Sequence, residues 1–191
     1  KKCHEISIKG AQTMAQAGAD LVLLGGLPIN ISKGNHSLEQ LMDHLETETG
    51  VQMSCSALAQ SNAFTKLGAS KVCTIHPFLK DQNKRHEHTI GDYFGLESTG
   101  VFAGGSNLLQ LGTLPPDKAL QWGREAISKR PNADTLYFGC PHWTVVDAIE
   151  PLEKEFGVNV MTSLQAIAWE SMRKTGINDP VKGFGRLLRD F

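Results

Sequence analysis

Four cysteines, Cys3, Cys55, Cys73 and Cys140, carry the most reactive groups in this 191-residue chain, and their neighbours set them apart. Cys140 follows the apolar run Thr135-Leu136-Tyr137-Phe138 through Gly139 and precedes a helix predicted from near Thr144. A helix N-terminus lowers a thiol pKa, and such a thiol can exchange a proton with carbon. His142, two residues on, could orient a substrate or poise that thiol. Cys55, between Ser54 and Ser56, also follows an apolar segment and reads as pocket lining or a second thiol. Cys73 lies inside a predicted strand and reads as core, while Cys3 near the start reads as inert. There is no CxxC pair, and Cys140-x-His142 and His86-x-His88 each fall short of the three or four ligands of a metal site, so no metal is expected. Gly25-Gly26 permits close backbone approach, but no dinucleotide or P-loop glycine pattern follows, and no organic cofactor is expected. Lys80, Lys84, Arg85, His86 and His88 form a basic cluster of the kind that usually covers a solvated face. Trp122, Trp143 and Trp169 are scattered as packing residues are, with Trp143, beside His142, the one that could touch a substrate.

The elements that would hold these residues follow from hydrophobic periodicity. Apolar positions from Ile6 to Ala17 share a helical face that Gly18 ends, and Asp20–Leu24 is a short apolar strand of the kind buried on both faces. The unit recurs: helices at about 37–49, 57–67, 116–129, 145–156 and 164–174 alternate with strands at about 51–54, 71–75, 101–103, 135–138 and 158–161. Helices alternating with short strands predict an α/β fold with parallel sheets and right-handed crossovers. Ligands of such folds sit beyond the carboxyl ends of the strands. Those ends are Gly25-Gly26-Leu27-Pro28, Ser54-Cys55-Ser56, Thr74-Ile75-His76-Pro77, Gly104-Gly105-Ser106-Asn107, Gly139-Cys140-Pro141-His142 and Thr162-Ser163. They hold small residues, hydroxyls and thiols but no Lys, Arg, Asp or Glu, which suits an anion held by neutral donors and a thiol that does the chemistry.

Composition narrows the function classes. With 19 Lys+Arg against 20 Asp+Glu, the formal charge of −1 supplies no field for nucleic acid or an anionic membrane surface. Apolar residues make up 40% of the chain, enough for a buried core, and the longest apolar runs fall far short of the roughly 20 residues that span a bilayer. No apolar signal segment opens the sequence, so a cytoplasmic location is expected, with neither nucleic acid nor membrane as a partner.

The segment Tyr137-Phe138-Gly139-Cys140-Pro141-His142-Trp143-Thr144-Val145-Val146-Asp147-Ala148-Ile149-Glu150 resembles the second-half cysteine motif of the aspartate/glutamate racemase superfamily, in its arylmalonate decarboxylase and maleate cis-trans isomerase branch. The stretch 152–163, Ala168-Trp169 and the tail Gly183-Phe184-Gly185-Arg186-Leu187 are similar to the same branch, and 67–72 and 81–85 fit more weakly in the expected order. The resemblance implies two similar parallel-sheet lobes with flanking helices and an active-site cleft between them. It divides the chain into 1–69 plus 163–191 and 70–162, the first lobe short at its N-terminus because relatives carry about a strand and a loop more before the first helix. It also implies chemistry without metal or organic cofactor on a small carboxylate substrate, and it leaves a homo-oligomer open.

In the racemases one cysteine from each lobe flanks the substrate. Cys140 matches the second, while the first falls at or beside Gly26, as in the arylmalonate decarboxylases. Leu27-Pro28 then changes the donor set, since Pro28 has no N–H, and His76-Pro77 stands where a tyrosine often follows the strand. The implied reaction is decarboxylation of an arylmalonate-like, 2-substituted dicarboxylate, with Cys140 protonating an enediolate. The implied substrate-binding set is Gly26, Leu27, Ser54, Cys55, Ser56, His76, Gly139, Pro141 and His142. Alternatives are a maleate-type cis-trans isomerase, an Asp/Glu-type racemase using Cys55 as second thiol, and a non-catalytic dicarboxylate-binding module.

Overall fold

A computed structural model describes residues 2–31 and 35–191. Helix α1 (Lys2–Gln16) leads to strand β1 (Leu21–Leu24), the short helix α2 (Leu27–Ile31), α3 (Asn35–Thr49), β2 (Gln52–Cys55) and α4 (Ser56–Leu67). Strand β3 (Lys71–His76) is followed by a 3-10 turn, helix α5 (Asn83–His88), a π-helical turn (Thr89–Tyr93) and β4 (Glu97–Ala103). A second 3-10 segment precedes α6 (Lys118–Lys129), β5 (Thr135–Phe138), α7 (Val146–Phe156), β6 (Asn159–Thr162), α8 (Ser163–Lys174) and α9 (Arg186–Asp190). The predicted alternation is observed, and the strands pair in parallel throughout. Among the described residues no helix is long and apolar enough to cross a membrane.

The chain divides into two compact units, Lys1–Ala63 with Ala166–Asp179, and Phe64–Gln165 with Pro180–Phe191. Residues 64–69 and the tail 180–191 thus fall with the second unit, whereas the sequence grouped them with the first. The tail is fastened there: both Glu153 carboxylate oxygens accept the Arg186 N–H, at 3.1 and 3.0 Å, and Arg186 Nη1 donates to Asn159 Oδ1 at 2.8 Å. Gly185, with φ +84°, lies so close to Ile149 that no side chain fits there.

In the first unit β1 pairs with β2. Strand β1 has this single neighbour and buries only Val22 fully, so it is not covered on both faces as its apolar run suggested. Cys3 has its side chain outside the described residues.

In the second unit the sheet order is β4-β3-β5-β6. Asp134 fixes its amino ends: the carboxylate accepts N–H bonds from Ser70 and Lys71 at the start of β3, and its backbone oxygen accepts from Asn159. Side chains alternate across the sheet. One face carries Cys73, Ile75, Leu136, Phe138 and Val160 against α6 and α7. Cys73 is core as expected, its thiol pushed up to about 11 by burial. Phe64, at the other end of α4, sets its ring edge-on to both Tyr137 and Phe94.

Candidate functional site

Strand order in the second unit places its ligand position. From β3 the chain moves outward to β4 on one side, then crosses to β5 on the other, so the order reverses between β3 and β5. The carboxyl ends at such a switch point leave a crevice. His76 ends β3, and Gly139-Cys140 follows β5 beside it, with the Gly139 N–H donating to Ile75 O at 3.0 Å.

Cys140 is 4% exposed and buried with Phe138, Trp143 and Val145. Helix α7 begins at Val146, six residues on, so its N-terminus does not bear on the sulfur as the sequence suggested. Burial pushes the Cys140 thiol up, and the one opposing group is the His142 N–H. The thiol is therefore an acid held protonated at neutral pH. Pro141 and His142 are exposed in the turn that follows. Trp143 is buried and packs on Trp122 and Phe138, so its ring belongs to the core and is not presented to a substrate.

His76 is fully buried, with Nε2 3.0 Å from Asn83 Oδ1, an acceptor that fixes the proton on Nε2. Among the described residues its Nδ1 then has no partner, and neither do the buried hydroxyls of Thr74 and Ser163. Burial lowers the His76 pKa, against Asn83 and Asp81. His86 stacks on it, with centroids 4.3 Å apart and planes at 14°. Burial, with His76 and Arg85 beside it, lowers the His86 pKa to about 3. His86 Cε1 and Nδ1 come within 3.1 and 3.2 Å of where a Cβ on Gly139 would stand. His86, expected on a solvated face, is thus an inward-turned ring packed against Gly139.

In the first unit Gly26 adopts φ +85°, and its carbonyl accepts from the N–H groups of Ile29 and Asn30, which starts α2. Leu27 is half-buried in the first turn; Pro28 sits there without loss, because first-turn N–H groups lack helical partners in any case. Asn30 is buried and joins the two strand ends. Its Oδ1 accepts from Ser56 Oγ (3.0 Å) and Ala57 N (3.3 Å), and its Nδ2 donates to Gly25 O (3.4 Å). Ser54 Oγ donates to Glu170 Oε1 at 3.1 Å. Both serine hydroxyls therefore spend their protons on internal acceptors and are not free donors, as the sequence had them. Cys55 is fully buried; burial is the largest cause of its raised pKa, with the N–H groups of Leu58 and Ala57 opposing and the nearby Glu170 adding to the rise. Among the described residues no three His, Cys, Asp or Glu side chains converge as a metal site requires.

A family model described as arylmalonate decarboxylase matches residues 2–188. The chain belongs to the arylmalonate decarboxylase family. It is 23% identical over 189 residues to the arylmalonate decarboxylase of Bordetella bronchiseptica, covering 96% of this chain and 77% of that one. A crystal structure of arylmalonate decarboxylase superposes with a TM-score of 0.83 at 22% identity, over 95% of this chain and 80% of the other. The maleate isomerase Iso from Pseudomonas putida S16 superposes with a TM-score of 0.80 at 21% identity, over 95% and 75%. A Nocardia farcinica maleate cis-trans isomerase holding a covalently bound succinylcysteine intermediate gives 0.79 at 20%, over 96% and 77%.

Membership in the arylmalonate decarboxylase family places the protein among enzymes. Within this member of the family, sequence reasoning missed Asn30, His86 and Glu170. His86 had a signal, since it lies three residues beyond Asn83, the partner of His76. Asn30 and Glu170 act through contacts 26 and 116 residues away along the chain, which no local pattern reports.

Proposed function

We propose that the protein is a cofactor-free decarboxylase of an arylmalonate-like, 2-substituted dicarboxylate, with Cys140 as the acid that protonates the product. The observation that carries this reading is the protonated, buried thiol at the carboxyl end of β5, beside the β3/β5 switch point. Breaking the bond from the α-carbon to one carboxylate releases CO2 and leaves the electron pair on that carbon, delocalised into the second carboxylate as an enediolate. Cys140 Sγ–H then gives its proton to the α-carbon, and solvent restores the proton to the thiolate. Positioned general acids of this kind contribute about 10²–10⁴-fold.

Gly139, Pro141 and His142 flank the thiol and line the substrate in this reading, with neutral donors facing the enediolate oxygens. Gly26, which is exposed, and the half-buried Leu27 remain in the proposed binding set. His76 is assigned a supporting position, since its ring is fully buried. Ser54, Cys55 and Ser56 contribute only if their internal bonds open. A cis-trans isomerisation is the second reading, favoured by the likeness to the two maleate isomerases. It needs a thiolate to add to the double bond, which the upward shift of Cys140 opposes.

Proton NMR in D2O with phenylmalonate, maleate, aspartate and glutamate tests the assignment. The expected result is conversion of phenylmalonate to phenylacetate carrying one α-deuteron, abolished in Cys140→Ala. Conversion of maleate to fumarate, or full phenylmalonate turnover in Cys140→Ser, would overturn it.

A further inference from the structure

We propose that His86 is a substrate-binding residue whose neutral imidazole, lying over Gly139 at the carboxyl end of β5, donates a ring N–H to a carboxylate of the substrate. The inference rests on the decarboxylase reading of these strand ends and deepens it. Three observations converge on the ring. First, it is half-buried and so reachable, whereas its stacking partner His76 is fully buried and points its Nε2–H at Asn83. Second, its Cε1–Nδ1 edge occupies the space a side chain on residue 139 would take, so the glycine is what admits the ring to the strand end. Third, the ring stacked against it carries a buried polar atom, His76 Nδ1, with no partner among the described residues.

The charge state suits the role. His76 behind the ring, Arg85 on its own helix and burial all disfavour a proton on it; Asp81 and Asn83 act on His76 instead. At neutral pH the ring is therefore uncharged and offers one N–H, while Tyr137 on β5 and Cys140 two residues beyond its end are protonated because burial raises both. A carboxylate placed there meets a neutral donor, and neither Tyr137 nor Cys140 competes with it as an anion. A hydrogen bond to a charged acceptor corresponds to about ten-fold or more in affinity.

The test uses full-length protein carrying Cys140→Ala, so that binding is measured without turnover, with 15N-labelled histidine and phenylmalonate as probe. The expected result is a saturable shift of the His86 ring nitrogens, a Kd weakened about ten-fold or more in His86→Phe, which keeps the stacked ring, and recovery in His86→Gln. Circular dichroism and urea unfolding at pH 7 check that His86→Phe is folded, and for a variant that is not, the ring-nitrogen shift in the His86 protein decides. Turnover of phenylmalonate by the protein with Cys140 intact reports separately on the decarboxylase reading. Turnover with unmoved His86 nitrogens, or with an unchanged Kd in folded His86→Phe, overturns the inference alone. Saturable binding at His86 without turnover overturns the decarboxylase reading alone, and neither binding nor turnover overturns both.

Discussion

Lowering the pH should destabilise this protein through its stacked imidazole pair, and His86→Phe should remove much of that sensitivity. His86 has a folded pKa of about 3 and an ordinary value of 6.5. Because the folded value is depressed, the contribution is present above pH 6.5 and is lost as the pH falls through the folded pKa. Once below pH 6.5 the unfolded chain takes up the proton and the folded chain does not, at about 1.4 kcal/mol per pH unit. By pH 4 the loss reaches about 3 kcal/mol, a large share of the 5–15 kcal/mol of a typical domain. His76, shifted in the same direction, adds to it. Carboxylates also titrate in this range, so the quantity to measure is the difference between parent and His86→Phe in urea unfolding at pH 7, 5 and 4. The phenyl ring keeps the stack on His76 and removes the titrating nitrogens. The parent should lose about 3 kcal/mol more than the variant between pH 7 and 4. Parallel losses in the two proteins would refute the account, because the imidazole would then not be buried neutral beside Gly139.

Two further substitutions probe the same architecture. Gly139→Ala places a Cβ 3.1–3.2 Å from His86 and 3.1 Å from Tyr137 Cε1; overpacking of about 1–3 kcal/mol outweighs the roughly 0.4–1 kcal/mol that alanine gains through the unfolded chain, so urea unfolding should show a net loss near 1 kcal/mol. Asn30→Ala strands the Ser56 hydroxyl and the Ala57 N–H and should cost about 2–3 kcal/mol in the same assay, whereas Asn30→Asp, which keeps the acceptor oxygen, should recover most of it.

The order of strands and helices was readable because it depends on short-range patterns: apolar runs of strand length, each closed by Gly, Ser or Thr, with helical periodicity between them. Strand β5 falls where its apolar residues predict, at Thr135–Phe138, and the helices read at 37–49, 57–67, 116–129, 145–156 and 164–174 differ by two residues or fewer at either end, whereas α1 begins four residues before Ile6. The segment from Lys80 to Tyr93 was not readable. Six residues of α5 make under two turns, too few for a 3.6-residue period to show which ring turns inward, and its neighbours Lys84 and Arg85 give it the composition of a solvated face. The direction of the Cys140 shift was likewise out of reach. A strand end followed by a helix suggested a lowered pKa, yet α7 begins only at Val146 and Cys140 is buried in the cluster that holds Trp143 and Val145, which pushes the thiol up. The motif located the thiol, and tertiary burial set its protonation.

That burial also bears on what the strand ends can stabilise. The thiol is pushed up and both imidazoles are pushed down, so opposite shifts converge on uncharged groups around Gly139. A 2-substituted malonate enters as a compact dianion and, on the proposed reading, passes to an enediolate whose charge spreads over one carboxyl group as CO2 departs. A lysine or arginine at this position would bind the dianion at least as strongly as the transition state and so would lower KM without raising kcat. Neutral, preorganised donors interact less with the full ground-state charge and can be aimed at the oxygens where charge remains. Burial leaves the proton on Cys140, where an adjoining positive charge would have drawn it off. Introducing a cation beside the thiol, as in Pro141→Lys, should therefore act in two measurable ways: tighter binding of phenylmalonate, and a thiol pKa that falls toward neutrality, read by the pH dependence of alkylation. If the decarboxylase reading holds, kcat at neutral pH drops while binding improves. Tighter binding with kcat unchanged would show that the protonated thiol is not the acid in the step that limits turnover.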